Sequence, residues 1–490
     1  MKRTPLFVLF LLFSASLFAA NVSVSNVTLT GQDVGANTYQ INFDIGWENS
    51  WRTSTLESNW DAVWIVVKYR EDPSTAWLHA DVRSAGTVLP AGTNADFING
   101  IGLFLYRDAD GIGDVDFEDV SIRWDYANDF PDDQILEICV VAIEMVYIPQ
   151  GAFEVGDDSN SAEANFQAGI TTNPFTISSE ASITLGGTSV TNLNVLNAAG
   201  FEADDFSSST TQTLPSSFPK GFNDFYIMKY ETSEQQYVDF LNKLPTSAAN
   251  NRFPNEFGNN GHGINNDGAG TELYTTNAPN QACGYLEWED ITAYADWIGL
   301  RPMSELEYEK AARGTRAAIA DEGAWGNSNA GNVSYTIVNA SQFNEGITNL
   351  PTNIGNSNFG AQANRPLRCG IFAASAANKT RQETGGSYYG VMELSGNLFE
   401  PVVTIGDAEG RGFSGAFHGN GIITSSGTST VATWPEDSSL SGDYGDGTGG
   451  RGGGWGNTQS RAAVSNREFA NFPLDARYAN FGMRLVRTAP

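Results

Sequence analysis

The feature that most limits what this chain can fold into is a change of hydrophobic period about a third of the way along it. In YQINFDIGW, Tyr39, Ile41, Phe43, Ile45 and Trp47 fall on one side of an extended backbone, and Gln40, Asn42 and Asp44 on the other. A period of two fits a strand with one face buried and no other regular element. DAVWIVVKYR is apolar on both faces until Lys68, the pattern of a central strand. IGLFLYR, VSIRWDY and ILEICVVAIEM supply further strands, separated by Gly, Asp and Asn turns. No helical period interrupts them, so residues 21–144 are predicted to form an all-β antiparallel sandwich.

From Met145 the pattern is different. TSEQQYVDFLNKL, capped by Thr232 or Ser233, stacks Tyr237, Phe240, Leu241 and Leu244 at helical spacing. EDITAYADWIG aligns Ile291, Tyr294, Ala295 and Ile298 and stops at Gly299. In SELEYEKAARG, Ser304 and Glu307 make a capping box and Gly314 ends the helix. Between these helices run loops rich in Gly, Asn and Ser, so residues 145–490 are predicted to be a loop-rich α+β domain. The stretch from Asp157 to about Pro219 looks like a surface insertion. No linker separates the two parts, because the apolar run ICVVAIEMVYIP crosses the boundary; this predicts rigid docking.

A chain of 490 residues with 41% hydrophobic and 12% aromatic content can build such cores. Its formal charge of -30, from 57 acids against 27 bases, argues against nucleic acid and anionic membrane surfaces, which need clustered Lys and Arg. It suits an extracellular surface and the oxygen donors that calcium prefers. Residues 1–20 read as a secretory signal: Lys2 and Arg3, an apolar run, then Ala19 and Ala20. No later run reaches membrane length, so a soluble secreted, cell-surface or periplasmic protein without a transmembrane segment is expected. In DADGIGDVDFED, Asp108, Asp110, Asp114 and Asp116 surround two glycines and present either a calcium loop or an acidic turn. Cys139, Cys283 and Cys369 are far apart and His79, His262 and His418 are isolated, so no zinc, iron–sulfur or three-histidine iron pattern exists.

Taken in order, MVYIPQGAFEVGD, YETSEQQYVDFLN, LEWEDITAYADWIGLRPMSELEYEKAARG, YGVMELSGNLFE, RGGGWGN and FGMRLVR resemble the formylglycine-generating enzyme, or sulfatase-modifying factor, family. The resemblance covers about Met145 to Arg487. It implies a variant of the C-type-lectin-like fold whose long loops are pinned by calcium. Carried over position by position, the ligands would be Glu393, the carbonyls of Gly396 and Leu398, and Glu400. A second ion would fall near Asn332 and the Val333 carbonyl. Relatives that oxidise a substrate cysteine hold copper with two cysteines after the R-G-G-S motif. Here those positions are Asn457 and Ala462, neither of which binds copper, and Gly454 replaces the motif serine. No copper or iron is therefore expected.

The sequence thus predicts a calcium-stabilised protein that is non-catalytic in the sense of having lost these ligands, and that binds a protein or glycan or assembles with itself. Its expected ligand-binding face carries Trp455, Asn457, Gln459, Arg461, Asn466, Arg467, Phe469, Phe472, Arg477 and Tyr478. The alternative is a formylglycine-type oxidoreductase acting on a protein cysteine through a different site.

Overall fold

The computed structural model describes residues 22–490 apart from 73, 75, 128, 159–163, 196–203, 271, 361, 436, 439–442 and 445. The predicted signal segment lies outside the described residues. The first part is built from β1 (Ser23–Asp33), β2 (Thr38–Arg52), β3 (Asp61–Glu71), β4 (Leu78–His79), β5 (Val82–Val88), β6 (Thr93–Ile98), β7 (Gly102–Arg107), β8 (Gly111–Asp125) and β9 (Leu136–Ile148). Four of them form one sheet in the order β1-β2-β8-β5. Ile41, Phe43, Ile45 and Trp47 of β2 share a buried cluster with Val63, Ile65 and Val67 of β3 and with Val140 and Ala142 of β9. The alternation read from the sequence is what lets β2 turn one face to that core.

The other strands of the first part belong to a sheet that does not stop at residue 144. β9 pairs with β3 from Leu136 to Val146, and its far end, Met145 to Ile148, pairs with the strand Phe225–Met228. That strand continues through Leu485–Thr488, Arg301–Ser304, Glu400–Val403 and Thr448–Arg451, giving ten strands in one sheet. β3 is central and buried, as its two-sided apolar pattern requires. Lys68, where the apolar run ends, is itself fully buried. Its Nζ donates to the Trp297 and Gly421 carbonyls at 2.6 and 2.8 Å, and burial pushes the amine down to about 7.

The three helices lie where their patterns put them. Glu234–Lys243 starts at a Ser233–Gln236 capping box, Trp288–Trp297 ends just before Gly299, and Glu305–Arg313 has the Ser304–Glu307 box and stops at Gly314, at φ +69°. The 157–219 stretch is more than a surface insertion. Its strands Phe166–Ala168, Ile183–Leu185, Leu193–Val195 and Gln212–Leu214 form a sheet, and Phe166, Leu185, Leu193 and Leu214 are buried. Three-residue strands in polar surroundings carry no readable period, so composition alone placed this stretch outside the core.

Candidate functional site

The helix Glu305–Arg313 turns its charged residues inward, and they organise the closing segment. Glu305 is fully buried and accepts from Arg451 at 2.9 Å, from Arg467 at 2.7 and 3.1 Å, and from the Ile405 amide at 2.8 Å. One turn later Glu309 accepts from Arg451 at 2.6 Å and from Arg313 at 3.0 Å. Arg467 also forks onto both oxygens of Asp204 at 3.0 Å and lies 4.1 Å from the Phe166 ring. This network fixes the backbone on either side of the turn that follows Arg451. It also removes Arg467 and Asn466 from the expected ligand face, since both are buried. A guanidinium flanked by Glu305 and Asp204 has no donor left for solvent.

The rest of that face does come together. Phe469, Phe472 and Tyr478 form a chain of ring contacts over the buried Phe399 and Phe481, with centroid separations of 4.9 to 5.8 Å. Gly450 is required beneath them, because a side chain there would strike both Phe481 and Phe399. Arg461 lies 4.9 Å from the Phe469 ring and forks onto Glu468 at 2.6 and 2.8 Å. Arg477 is half-buried and held by both oxygens of Asp290. On the other flank, Trp455 packs on Ala282, Cys369 and Leu398, and its indole nitrogen is buried without a partner. Gln459 is exposed and donates to the Ser328 carbonyl.

The two positions that would carry catalytic cysteines have structural work. Asn457 Oδ1 accepts the Gly454 amide at 2.9 Å and closes the turn, while Ala462 is 1% exposed. Cys139, Cys283 and Cys369 are all buried, and burial pushes each thiol up, away from the thiolate that copper or a disulfide partner would need.

The carried-over calcium positions form a tight turn. Glu393, Gly396 and Asn397 all have positive φ, of 54°, 79° and 65°. Asn397 Oδ1 accepts the Leu367 amide at 2.8 Å, and its Nδ2 donates to Glu231, which also accepts the Leu398 amide at 2.9 Å. Glu231 was not picked out from the sequence; its signal is its place at the start of the YETSEQQY element. Glu400 pairs with Arg484 at 2.8 Å, and Glu393 accepts the Gly370 amide at 3.1 Å. Each of the two glutamates keeps one buried oxygen, Oε1 of Glu393 and Oε2 of Glu400, without a hydrogen-bond partner. Burial pushes the Glu393 carboxyl up to about 7 and Glu400 up as well. Three buried carboxylates, of which Arg484 pairs directly with one, fit a hard divalent cation. Among the described residues no three His, Cys, Asp or Glu side chains converge on one point, so backbone carbonyls would have to complete such a site.

The other acidic positions are not gathered. Asn332 and Val333 are exposed and lie in an irregular segment. Gly111–Asp125 is a strand, not a loop, so Asp114 and Asp116 lie on extended backbone. Asp110 is taken up by the Ser54 amide and hydroxyl, and Asp114 by the Asn49 amide at 2.8 Å. Two of the four acids are thus occupied by backbone and hydroxyl donors, and among the described residues no three acids converge on one point.

Compared with known families, residues 195–489 match the sulfatase-modifying factor enzyme 1-like domain. The chain belongs to that family. No curated protein is similar enough to be matched. In this sulfatase-modifying factor family member, most of the regular structure is strand, with few helices. Among the described residues no helix is long and apolar enough to cross a membrane.

Proposed function

We propose that this chain is a secreted or cell-surface member of the sulfatase-modifying factor family that has kept the fold, lost the copper chemistry and binds a protein or glycan with its C-terminal face. The observation that carries this reading is the exchange of both copper cysteines for Asn457, a turn closer, and Ala462, a buried packing residue, while every thiol of the chain is buried elsewhere. The aromatic chain Phe469–Phe472–Tyr478 beside Arg461 and Trp455 has the composition of a recognition surface. In this reading the first part is a sandwich, the second is C-type-lectin-like, and the secretory leader delivers both.

Screening the protein against glycan and peptide arrays tests it. Phe472→Ala combined with Arg461→Ala is expected to lower array binding more than about tenfold, as loss of a hot-spot pair does, with the fold retained by circular dichroism. Equal binding by the variant would overturn the assignment of this face.

Calcium at Glu393 and Glu400 belongs to the same proposal. Those two side chains, with the Gly396 and Leu398 carbonyls, would hold the ion and cancel the buried negative charge. Saturating calcium stabilises by about 4 kcal/mol at a thousandfold excess over Kd, or roughly 10 °C in a domain of this size. A chelator should therefore lower the melting temperature by about that much, and Glu400→Gln should remove the response. No change on chelation would refute the site.

A further inference from the structure

A second buried charged cluster lies where the two parts of the chain meet. Lys229 follows the strand Phe225–Met228, Glu144 lies on β9 and Asp61 opens β3. Their side chains are 4%, 2% and 0% exposed. Lys229 Nζ is 2.7 Å from Glu144 Oε2 and 3.4 Å from Asp61 Oδ2, and it lies 5.0 Å from the Trp51 ring. Asp61 Oδ1 accepts from the Ser50 hydroxyl at 2.8 Å and the Trp51 amide at 3.0 Å, and Oδ2 accepts from the Trp47 indole at 3.0 Å. Glu144 Oε1 has no partner.

We propose that Lys229 and Asp61 become joined by an intramolecular amide bond, with Glu144 as the proton shuttle. The ammonium gives one proton to Glu144, which passes it to Asp61 Oδ2, and the neutral Nζ then attacks Cγ of the resulting carboxylic acid. The oxyanion forms on Oδ1, where the Ser50 hydroxyl and the Trp51 amide are already aimed. Glu144 takes a second proton from nitrogen and delivers it to Oδ2, which leaves as water. One ammonium and one carboxylate give one amide and one water, so no other reagent is consumed.

The surroundings favour this outcome. Burial pushes the Glu144 carboxyl up despite the adjacent lysine, which suits a group that must take and return a proton. Burial acts on Lys229 in the opposite sense, but Glu144, Tyr230 and Asp61 together outweigh it and hold the ammonium up. Moving one proton from Nζ to Glu144 relieves that hold directly. A buried ion triad carries a desolvation penalty that its Coulomb attraction only partly returns; an amide removes two of the three charges. The bond would tie β3 of the first part covalently to the second part, a fitting device for a protein exposed outside the cell.

Mass spectrometry of the full chain tests this. The wild-type protein should be lighter by one water than its processed sequence, with a branched proteolytic peptide joining Asp61 to Lys229, and Glu144→Gln should restore the full mass. Lys229→Arg serves as a second variant that keeps a cation in the cluster and should also have the full mass. Wild-type protein of full mass would overturn the proposal. So would a water deficit mapped to another aspartate, such as Asp110 before Gly111 or Asp267 before Gly268, where cyclisation onto the backbone loses the same mass.

Discussion

Replacing Glu305 by Ala is expected to cost about 3–5 kcal/mol of stability, the usual penalty for breaking a buried ion network from one side. The magnitude follows from what is left behind. Arg451 and Arg467 are both buried, and each spends at least one donor on Glu305. Without the carboxylate, Glu309 and Asp204 must balance these cations while the Ile405 amide loses its acceptor. Against a typical total stability of 5–15 kcal/mol, the variant should be marginal, and chemical denaturation would show it. Glu305→Gln keeps the shape and should lose nearly as much, since the charge is what the two guanidinium groups need. A loss below about 1 kcal/mol in both variants would mean that the network adds little to stability.

The same residue gives a pH dependence. Burial alone would push the Glu305 carboxyl up, but Arg467 and Arg451 outweigh it and hold it below the ordinary carboxylate range. Its stabilisation is therefore fully present above the ordinary value and is lost as pH falls through the folded one. The wild-type protein should lose stability on that acid limb more steeply than Glu305→Gln does.

The second large effect is expected from cutting the chain at the apparent boundary. A fragment of residues 149–490 should not fold cooperatively, although it contains all the residues matched to the family. β9 supplies the hydrogen-bonding neighbour of Phe225–Met228, and β3 adds eleven pairs beyond it. Hydrogen bonds also cross the cut: the buried Trp64 indole to the Ile298 carbonyl at 2.7 Å, the buried Asn59 side-chain amide to the Tyr389 carbonyl at 2.8 Å, and the Tyr226 hydroxyl to the half-buried Asp96 at 2.8 Å. Removing Trp64 and Phe104 alone uncovers two large side chains, at about 1.5–3 kcal/mol each, before the orphaned polar groups are counted. Thermal unfolding followed by circular dichroism would read the result. A fragment with a sharp transition near that of the whole chain would show that the shared sheet is not essential.

How far the sequence revealed these features depends on whether a local pattern encodes them. The alternation in β2 and the capping boxes at Ser233 and Ser304 act within a few residues, so reading along the chain finds them. The apolar run through Met145 gave the continuity of β9 in the same way. Pairings across long separations leave no such trace. Arg467 meets Asp204, and Lys68 meets Trp297 and Gly421, only through the fold, so the partners that let these cations be buried leave no local pattern in the sequence. The aromatic face is an intermediate case. The resemblance identified the segment and its composition, but only the ring contacts over Phe399 and Phe481 separate Phe469, Phe472 and Tyr478 from the buried Asn466 and Arg467.

The central claim is that the closing segment recognises a partner and does not oxidise one, and a direct turnover measurement decides it. The purified protein, supplied with copper(I), oxygen and a reductant, would be incubated with a Cys-x-Pro-x-Arg peptide and the peptide followed by mass spectrometry. The account predicts an unchanged cysteine over many hours. Conversion of the cysteine to formylglycine over repeated turnovers would contradict it, because no accessible thiolate remains at Asn457 or Ala462 to hold the metal.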